Sequence, residues 1–429
     1  MTSDKKNAFS AIDLQRRIYI GGMGGAKPIV PLDFQVLESA ARQRMSAQGF
    51  AYMAGGAGLE TTMHANRKAF ERWQIVPRML HDVSERQTTM ELFGQQLPAP
   101  MLTCPIGVLE MAHPEADLAV ARATASLGVP MIFSNQASVP MEACAAAMGD
   151  SPRWFQLYWS KSDALVQSLV QRAERCGCQA IVVTLDTTML GWRTRDLDLA
   201  YLPFLRGMGI AQYTSDPVFT QMLDNQTDNP SAPMPAINLT TIRNLITTVN
   251  KFPGKGFFSK LRSGKPLNAV RQFISIYSRP SLTWKDLPLL RQYTKLPVLL
   301  KGILHPDDAR QAIDAGMDGI IVSNHGGRQV DGAIGAFDAL PVIAEAVDNQ
   351  IPILLDSGVR SGADVFKAIA LGAKAVCIGR PYAYGLAIAG QAGVEAILQH
   401  FIADFELTMG LAGCTRVSDI TKDMLISAP

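Results

Sequence analysis

One histidine stands in a setting suited to proton transfer. His325 lies in Ser323-Asn324-His325-Gly326-Gly327-Arg328, directly after an apolar run. The two glycines allow a tight backbone path beside it. Arg328 places a permanent cation three residues away. A neutral imidazole beside a cation suits removal of a proton from a bound anion. The other histidines, at 64, 81, 113, 305 and 400, have no such context and read as structural. Further along, Asp356-Ser357-Gly358-Val359-Arg360 and Gly379-Arg380 each follow a short apolar run. Glycine lets a backbone approach a ligand closely, and a guanidinium matches phosphate oxygens. Either pair alone reads equally well as a tight turn with a surface arginine. Together, Gly358, Arg360, Gly379 and Arg380 read as a phosphate site.

The elements that position these groups follow from hydrophobic patterning. Eight short apolar runs, at 100–105, 130–134, 154–158, 180–184, 298–301, 319–323, 353–356 and 375–378, have the length of buried strands. Each is followed by a helix-like stretch, such as 306–315 and 362–371. Eight βα units in succession predict an α/β chain folded as a (β/α)8 TIM barrel. No Gly-x-Gly-x-x-Gly follows the first strand, which argues against an open dinucleotide-binding sheet. Residues 1–97 read as a helical N-terminal segment packed on the barrel, and 98–429 as the barrel itself. About 110 residues separate strand 4 from strand 5, where 20–30 would serve. Residues 206–285 are therefore expected to form an insertion on the catalytic face.

Reacting groups in such a barrel come from the C-terminal strand ends. In order, those ends carry Pro105-Ile106-Gly107, Ser134-Asn135-Gln136, Gln156-Leu157-Tyr158, Thr184-Leu185-Asp186 with Arg193 beyond, Lys301, the His325 segment, and the two glycine-arginine segments. Polar groups at all eight ends are hard to explain as core packing.

Composition sets outer limits. Of 429 residues, 48% are hydrophobic and 18% charged, enough for a large core. A net charge of +2 does not point to nucleic acid, and no nucleic-acid module is present. The six cysteines lack zinc or disulfide spacing, and the N-terminus lacks a signal-peptide core, so a cytoplasmic protein without a metal site is expected. No apolar run looks long enough to span a bilayer. Residues 229–285 hold nine basic residues and no acidic one: Arg243, Lys251, Lys255, Lys260, Arg262, Lys265, Arg271, Arg279 and Lys285. Apolar residues are interleaved with them, including Ile242, Leu245, Ile246, Val249, Phe257 and Phe258. One reading is a solvated lid whose apolar face packs on the barrel. The other is an interfacial segment on an anionic membrane, where each basic residue contributes roughly 1 kcal/mol.

The motifs SNHGGRQ (323–329), LDSGVRSGADVFKAIALGA (355–373) and IGRP (378–381) resemble the FMN-dependent 2-hydroxy acid oxidase and dehydrogenase family. The stretch GWRTRDLDLAYLPFLRGMGI (191–210) and PIGV (105–108) look most like its lactate 2-monooxygenase branch. The resemblance spans roughly 45–215 and 282–420. It implies FMN as cofactor and a small L-2-hydroxy acid as substrate. Tyr52, Arg193 and Arg328 would hold the carboxylate, and Tyr158 the hydroxyl or keto oxygen. His325 would take the hydroxyl proton, with Asp186 steadying the imidazolium. Lys301 would stabilise the reduced ring. Pro105, Ile106, Gly107, Ser134, Gln156, Thr184 and Ser323 would hold the ring and ribityl parts. Asp356, Gly358, Arg360, Gly379 and Arg380 would hold the ribityl chain and phosphate. A homo-oligomer, tetrameric or octameric, is also implied.

Two positions vary within or depart from the family pattern. Gln136 stands where glycolate oxidase has a tryptophan, and Gly107 where many oxidases have alanine. Gln136 is expected to leave more room or a wetter wall in the substrate pocket, and Gly107 to open space beside the flavin. The acceptor stays open between the two readings. The 191–210 motif favours oxygen, by an oxidase or monooxygenase route, and the basic insertion favours quinone at a membrane. Other phosphate-binding barrels, such as IMP dehydrogenase or flavin-dependent isopentenyl diphosphate isomerase, lack the SNHGGRQ pair. A catalytically dead barrel does not account for an intact polar set.

Overall fold

The protein is described here from a computed structural model, which covers residues 10–225 and 238–428. Part of the basic insertion, 226–237, lies outside the described residues.

Eight parallel strands close into a barrel: β1 (Met101–Thr103), β2 (Met131–Phe133), β3 (Arg153–Leu157), β4 (Ile181–Thr184), β5 (Val298–Ile303), β6 (Gly319–Val322), β7 (Ile353–Leu355) and β8 (Ala375–Ile378). Each pairs with its sequence neighbours, and β8 returns to β1 through Val376–Met101, Cys377–Leu102 and Ile378–Thr103. The matching helices are α1 (Ala116–Leu127), α2 (Met141–Met148), α3 (Asp163–Arg175), α4 (Pro288–Tyr293), α5 (Pro306–Asp314), α6 (Ala336–Val347), α7 (Gly362–Ala370) and α8 (Arg380–Leu411). All eight expected strands are present.

Alternation along the strands explains both the core and the site. Side chains on successive strand residues face opposite sides. Met131, Phe133, Phe155, Ile181, Val183, Leu300, Val322 and Leu355 pack outward on the helices. Leu102, Ile132, Trp154, Val182, Leu299, Ile321, Leu354 and Cys377 form a separate apolar cluster on the axis. Two residues further along each strand, on the same face, stand Cys104, Ser134, Gln156, Thr184, Lys301, Ser323, Asp356 and Gly379. The polar set is thus the next axial layer above an apolar plug.

The N-terminal segment is helical only in its first part. Helices Ala11–Met23, Phe34–Arg44, Ala47–Ala54 and Thr61–Glu71 are followed by strand Trp73–Ile75, which pairs with Leu425–Ser427 near the C-terminus. A hairpin, Met90–Leu92 with Gln95–Leu97, then seals the barrel floor. Leu92 and Leu97 join the axial cluster, and Phe93 meets Trp154 edge-on with centroids 5.7 Å apart. Period-two patterning over three residues is too short to announce such strands.

The insertion forms helices Pro217–Asp224, Leu239–Lys251, Phe257–Arg262 and Lys265–Ile276. They gather around the buried Phe273, whose ring lies 4.8 Å from Tyr213, 5.3 Å from Phe204 and 5.1 Å from Tyr277. Lys251 pairs with Glu110, Lys265 with Asp224, and Arg279 with Asp163 and Asp286. Contrary to the expectation from run length, α8 is long and apolar enough to cross a membrane. It is a core helix, kinked at Ala389–Gly390 and packed on α1, α7 and Phe34–Arg44.

Leu97→Ala should lower the stability of the fold by about 2–5 kcal/mol, because it leaves a cavity in the axial plug. A falling urea midpoint would report this. An unchanged midpoint would show that the hairpin does not seal the floor.

Candidate active site

The C-terminal strand ends surround an open cleft of about 1020 Å3, solvent at its mouth included. Its walls include Tyr52, Pro105, Ile106, Gly107, Gln136, Gln156, Tyr158, Thr184, Arg193, Lys301, His325, Arg328, Asp356, Gly358, Arg360, Gly379 and Arg380. Nearly every residue expected at the site therefore faces one space. Ser134 and Ser323 are buried and do not line it. Their hydroxyls act one layer back: Ser134 Oγ accepts from the Gln136 N–H at 3.1 Å, and Ser323 Oγ from Lys301 Nζ at 2.8 Å and the His325 N–H at 3.0 Å. Asp186 also stands behind the wall, against His325.

His325 Nδ1 lies 2.7 Å from Asp186 Oδ1. A carboxylate can only accept, so Nδ1 carries the hydrogen and Nε2 is the basic nitrogen. Thr187 Oγ1 donates to the same Asp186 oxygen at 2.9 Å. The other Asp186 oxygen makes no hydrogen bond and faces Lys301 Nζ at 3.6 Å. Gly302, at φ +108, permits this approach: a Cβ there would sit 2.9 Å from Asp186 Cβ. Burial opposes ionisation of Asp186, but His325 and Lys301 outweigh it and hold the carboxyl well below the usual range. Burial would likewise neutralise Lys301, yet Asp186 and Asp356 keep its ammonium above its ordinary value. For His325 burial prevails over Asp186, and the imidazole is lowered from 6.5. It is a neutral base at neutral pH.

Two arginines form a cationic wall beside the histidine. Arg328 Nη1 donates to the carbonyls of Tyr52 and Gly55, and its guanidinium lies 5.0 Å from the Tyr52 ring centroid. Arg193 Nη2 donates to Gln329 Oε1 at 3.1 Å. Burial and the nearby Arg193 push Arg328 down to about 9. It stays charged at neutral pH, and a bound anion would relieve the strain of two adjacent cations.

A second cationic end lies at β7 and β8. Burial and Arg380 push Arg360 down to about 9, and its Nε is buried without a hydrogen-bond partner. Gly358, at φ +99, has no room for a Cβ, which would meet the Asn66 carbonyl oxygen at 2.8 Å. Arg380 is held by the carbonyls of Met53, Gly326 and Gly55, so its nitrogens are already engaged and its charge remains. Between the two ends Lys301 Nζ lies 3.2 Å from Asp356 Oδ2. An orphaned guanidinium nitrogen at one end and a buried ammonium in the middle fit a phosphate-bearing ring cofactor such as FMN.

Sequence reasoning missed several wall residues. Met53, Thr187, Leu190, Phe204 and Tyr277 line the cleft, as do Cys104, Ser357 and Cys377. Cys104 and Cys377 share the axial face, which strand parity could have revealed. Phe204 and Tyr277 come from irregular or inserted segments with no periodic signal.

Comparisons with known proteins agree with this geometry. Residues 41–427 match the FMN-dependent dehydrogenase family. An L-lactate oxidase of Lysinibacillus sphaericus is 42% identical over 396 residues, covering 92% of this chain and 93% of that protein. The human 2-hydroxyacid oxidase 1 is 36% identical, with 89% of this chain and 92% of that protein covered. A crystal structure of mandelate oxidase with (S)-4-hydroxymandelic acid superposes with a TM-score of 0.74 at 37% identity, covering 91% of this chain and 97% of that one. The chain belongs to the FMN-dependent dehydrogenase family and is an FMN-dependent 2-hydroxy acid oxidoreductase.

Proposed function

We propose that the protein oxidises a small, lactate-like L-2-hydroxy acid to its 2-keto acid and uses oxygen as acceptor. The observation that carries this reading is one cleft holding a neutral His325–Asp186 base beside the Arg193–Arg328 cationic wall. Arg328 and Arg193 bind the substrate carboxylate, for which a guanidinium fork is well matched. Tyr52 and Tyr158 complete the polar contacts, and burial keeps the Tyr158 phenol protonated as a donor. His325 Nε2 takes the hydroxyl proton, and Asp186 stabilises the imidazolium. FMN, when bound, accepts the hydride equivalent from the substrate carbon. Lys301 keeps a positive charge where electron density then accumulates. Gly358, Arg360 and Arg380 hold the phosphate end, and Gln156, Thr184 and Asp356 the polar middle. The L-lactate oxidase relative and the 191–210 motif support oxygen.

A second reading, a quinone-reducing dehydrogenase on an anionic membrane, is favoured by one surface. Leu239, Ile242, Ile246, Phe258 and Leu261 are exposed on the insertion, alongside Arg243, Lys255 and Arg262. Three of the nine basic residues are instead held in ion pairs, which weakens this reading.

Anaerobic mixing with L-lactate should bleach the bound flavin, and oxygen should restore its colour faster than a soluble quinone. Faster recovery with quinone, together with flotation on anionic liposomes at low salt, would favour the membrane reading. His325→Ala should retain FMN but lose bleaching by at least a thousandfold; rapid bleaching would remove His325 from the base role. Arg328→Met should raise KM or abolish saturation, and an unchanged KM would contradict carboxylate binding. The base works only when neutral, and its pKa lies below 6.5. kcat/KM should therefore fall on the acid side, at lower pH than an ordinary imidazole would give. Asp186→Asn removes a charge that raises that pKa, so the falling limb should move to still lower pH as the rate drops.

A further inference from the structure

His325 occupies left-handed backbone, φ +59, and is followed by Gly326 at +67 and Gly327 at +76. For a residue with a Cβ this conformation is costly and persists only where neighbours over-determine it. The neighbour on the N-terminal side is Asn324, which is buried. Its side chain is fully used. Oδ1 accepts from Asn66 Nδ2 at 2.8 Å and from the Gly327 N–H at 3.0 Å. Nδ2 donates to Asn66 Oδ1 at 2.7 Å and to the Ile334 carbonyl at 3.0 Å. Asn66 Oδ1 also accepts from the Ala336 N–H at 3.0 Å.

Asn66 belongs to helix Thr61–Glu71, outside the barrel. It does not line the cleft and touches neither Asp186 nor His325. Nor does docking of its helix depend on it. Phe70 stacks on Phe337 with centroids 4.0 Å apart, Arg67 pairs with Asp364, Arg72 pairs with Asp338, and Thr61 and Thr62 bind the Asp331 carboxylate. The reciprocal amide pair instead spans the loop 324–336 at both ends. It fixes which way Asn324 points, and Asn324 in turn holds Gly327.

We propose that Asn66 is a positioning residue for the catalytic base: its paired amide hydrogen bonds lock Asn324 and so hold His325 in left-handed backbone against Asp186. The inference rests on His325 as the base. Helix Thr61–Glu71 thereby supports the catalytic centre without touching substrate.

The test uses the FMN-loaded full chain with Asn66→Ala, Asn324→Ala and the double variant. Asn66→Ala should keep flavin content and affinity for pyruvate near wild type, while the melting temperature falls only by what the lost buried hydrogen bonds cost. The rate of anaerobic flavin bleaching should fall at least tenfold with KM within about twofold. The acid limb of the pH profile should move, and the solvent deuterium isotope effect on bleaching should rise. Because Asn66 acts through Asn324, the double variant should lose no more than the worse single variant. Unchanged bleaching rate, pH limb and isotope effect would overturn the proposal, as would additive losses. A lower melting temperature with wild-type kinetics per bound flavin would show a merely structural role and also overturn it. If Asn66→Ala does not fold, the isosteric Asn66→Asp is read against the same outcomes. His325→Ala separates the two claims: if it bleaches rapidly, the base assignment itself fails. If it is inert while Asn66→Ala is normal, only the positioning role fails.

Discussion

The Asp186 side chain is only 11% exposed, and its two oxygens face different partners: the His325 ring at 2.7 Å and the Lys301 ammonium at 3.6 Å. A buried carboxylate without a cation would take up a proton. Protonated, it would hold the Nδ1 hydrogen more weakly and would no longer stabilise the imidazolium. Lys301 supplies that cation and is shared with Asp356. Asp356 in turn accepts from Ser357 Oγ at 2.8 Å, and Ser357 Oγ accepts from the Gly326 N–H at 2.9 Å. The base, its carboxylate, the lysine and the backbone after the base therefore form one closed circuit. Removing any member leaves a buried charge or donor unpaired, which costs more than the contact itself contributes.

Around this circuit the cleft carries an excess of positive charge. Arg193, Arg328, Arg360, Arg380 and Lys301 face Asp186 and Asp356. The lowered guanidinium values of Arg328 and Arg360 mark where that excess is least compensated. They lie at separate positions, one beside the histidine and one at the β7–β8 end. Two anionic groups bound apart, a carboxylate and a phosphate, match that distribution. Burial does most to keep His325 neutral, and the same charge pattern adds to it, since Lys301 and Arg193 both disfavour its protonated form.

Much of this was legible because strand parity is rigid. A residue two places beyond an axial apolar side chain must face the axis, so Gln156, Thr184, Lys301 and Asp356 follow from Trp154, Val182, Leu299 and Leu354. What escaped lacks a period. The floor hairpin has strands of three residues. Tyr277 reaches the cleft from the end of an inserted helix, and Phe204 from a single turn of 3-10 helix. Asn66 sits mid-helix among charged residues and looks like a surface position. Only its pairing with Asn324, 258 residues away, gives it meaning. Long-range pairing of this kind leaves no local trace in a single chain.

Gly107 and Gln136 illustrate how such pairing changes an interpretation. Taken singly, each appears to add room beside the cofactor. In the structure they are one contact: a Cβ at 107 would lie 3.0 Å from Gln136 Cβ and 3.2 Å from its carbonyl oxygen. A Cβ at Gly209, φ +67, would meet the same carbonyl at 3.0 Å and Phe204 at 3.2 Å, so only glycine fits there. Phe204 leads through Phe273 to Tyr277, so this part of the cleft wall is packed continuously into the insertion. A methyl added at Gly107 would not merely fill empty space but would displace Gln136 and load this wall. The insertion's inner side thus reaches the cleft wall through Tyr277, and its outer side carries the exposed Ile242, Ile246 and Phe258. Close-packed elements transmit displacement, so a shift of these insertion helices would bear on the shape of the pocket within.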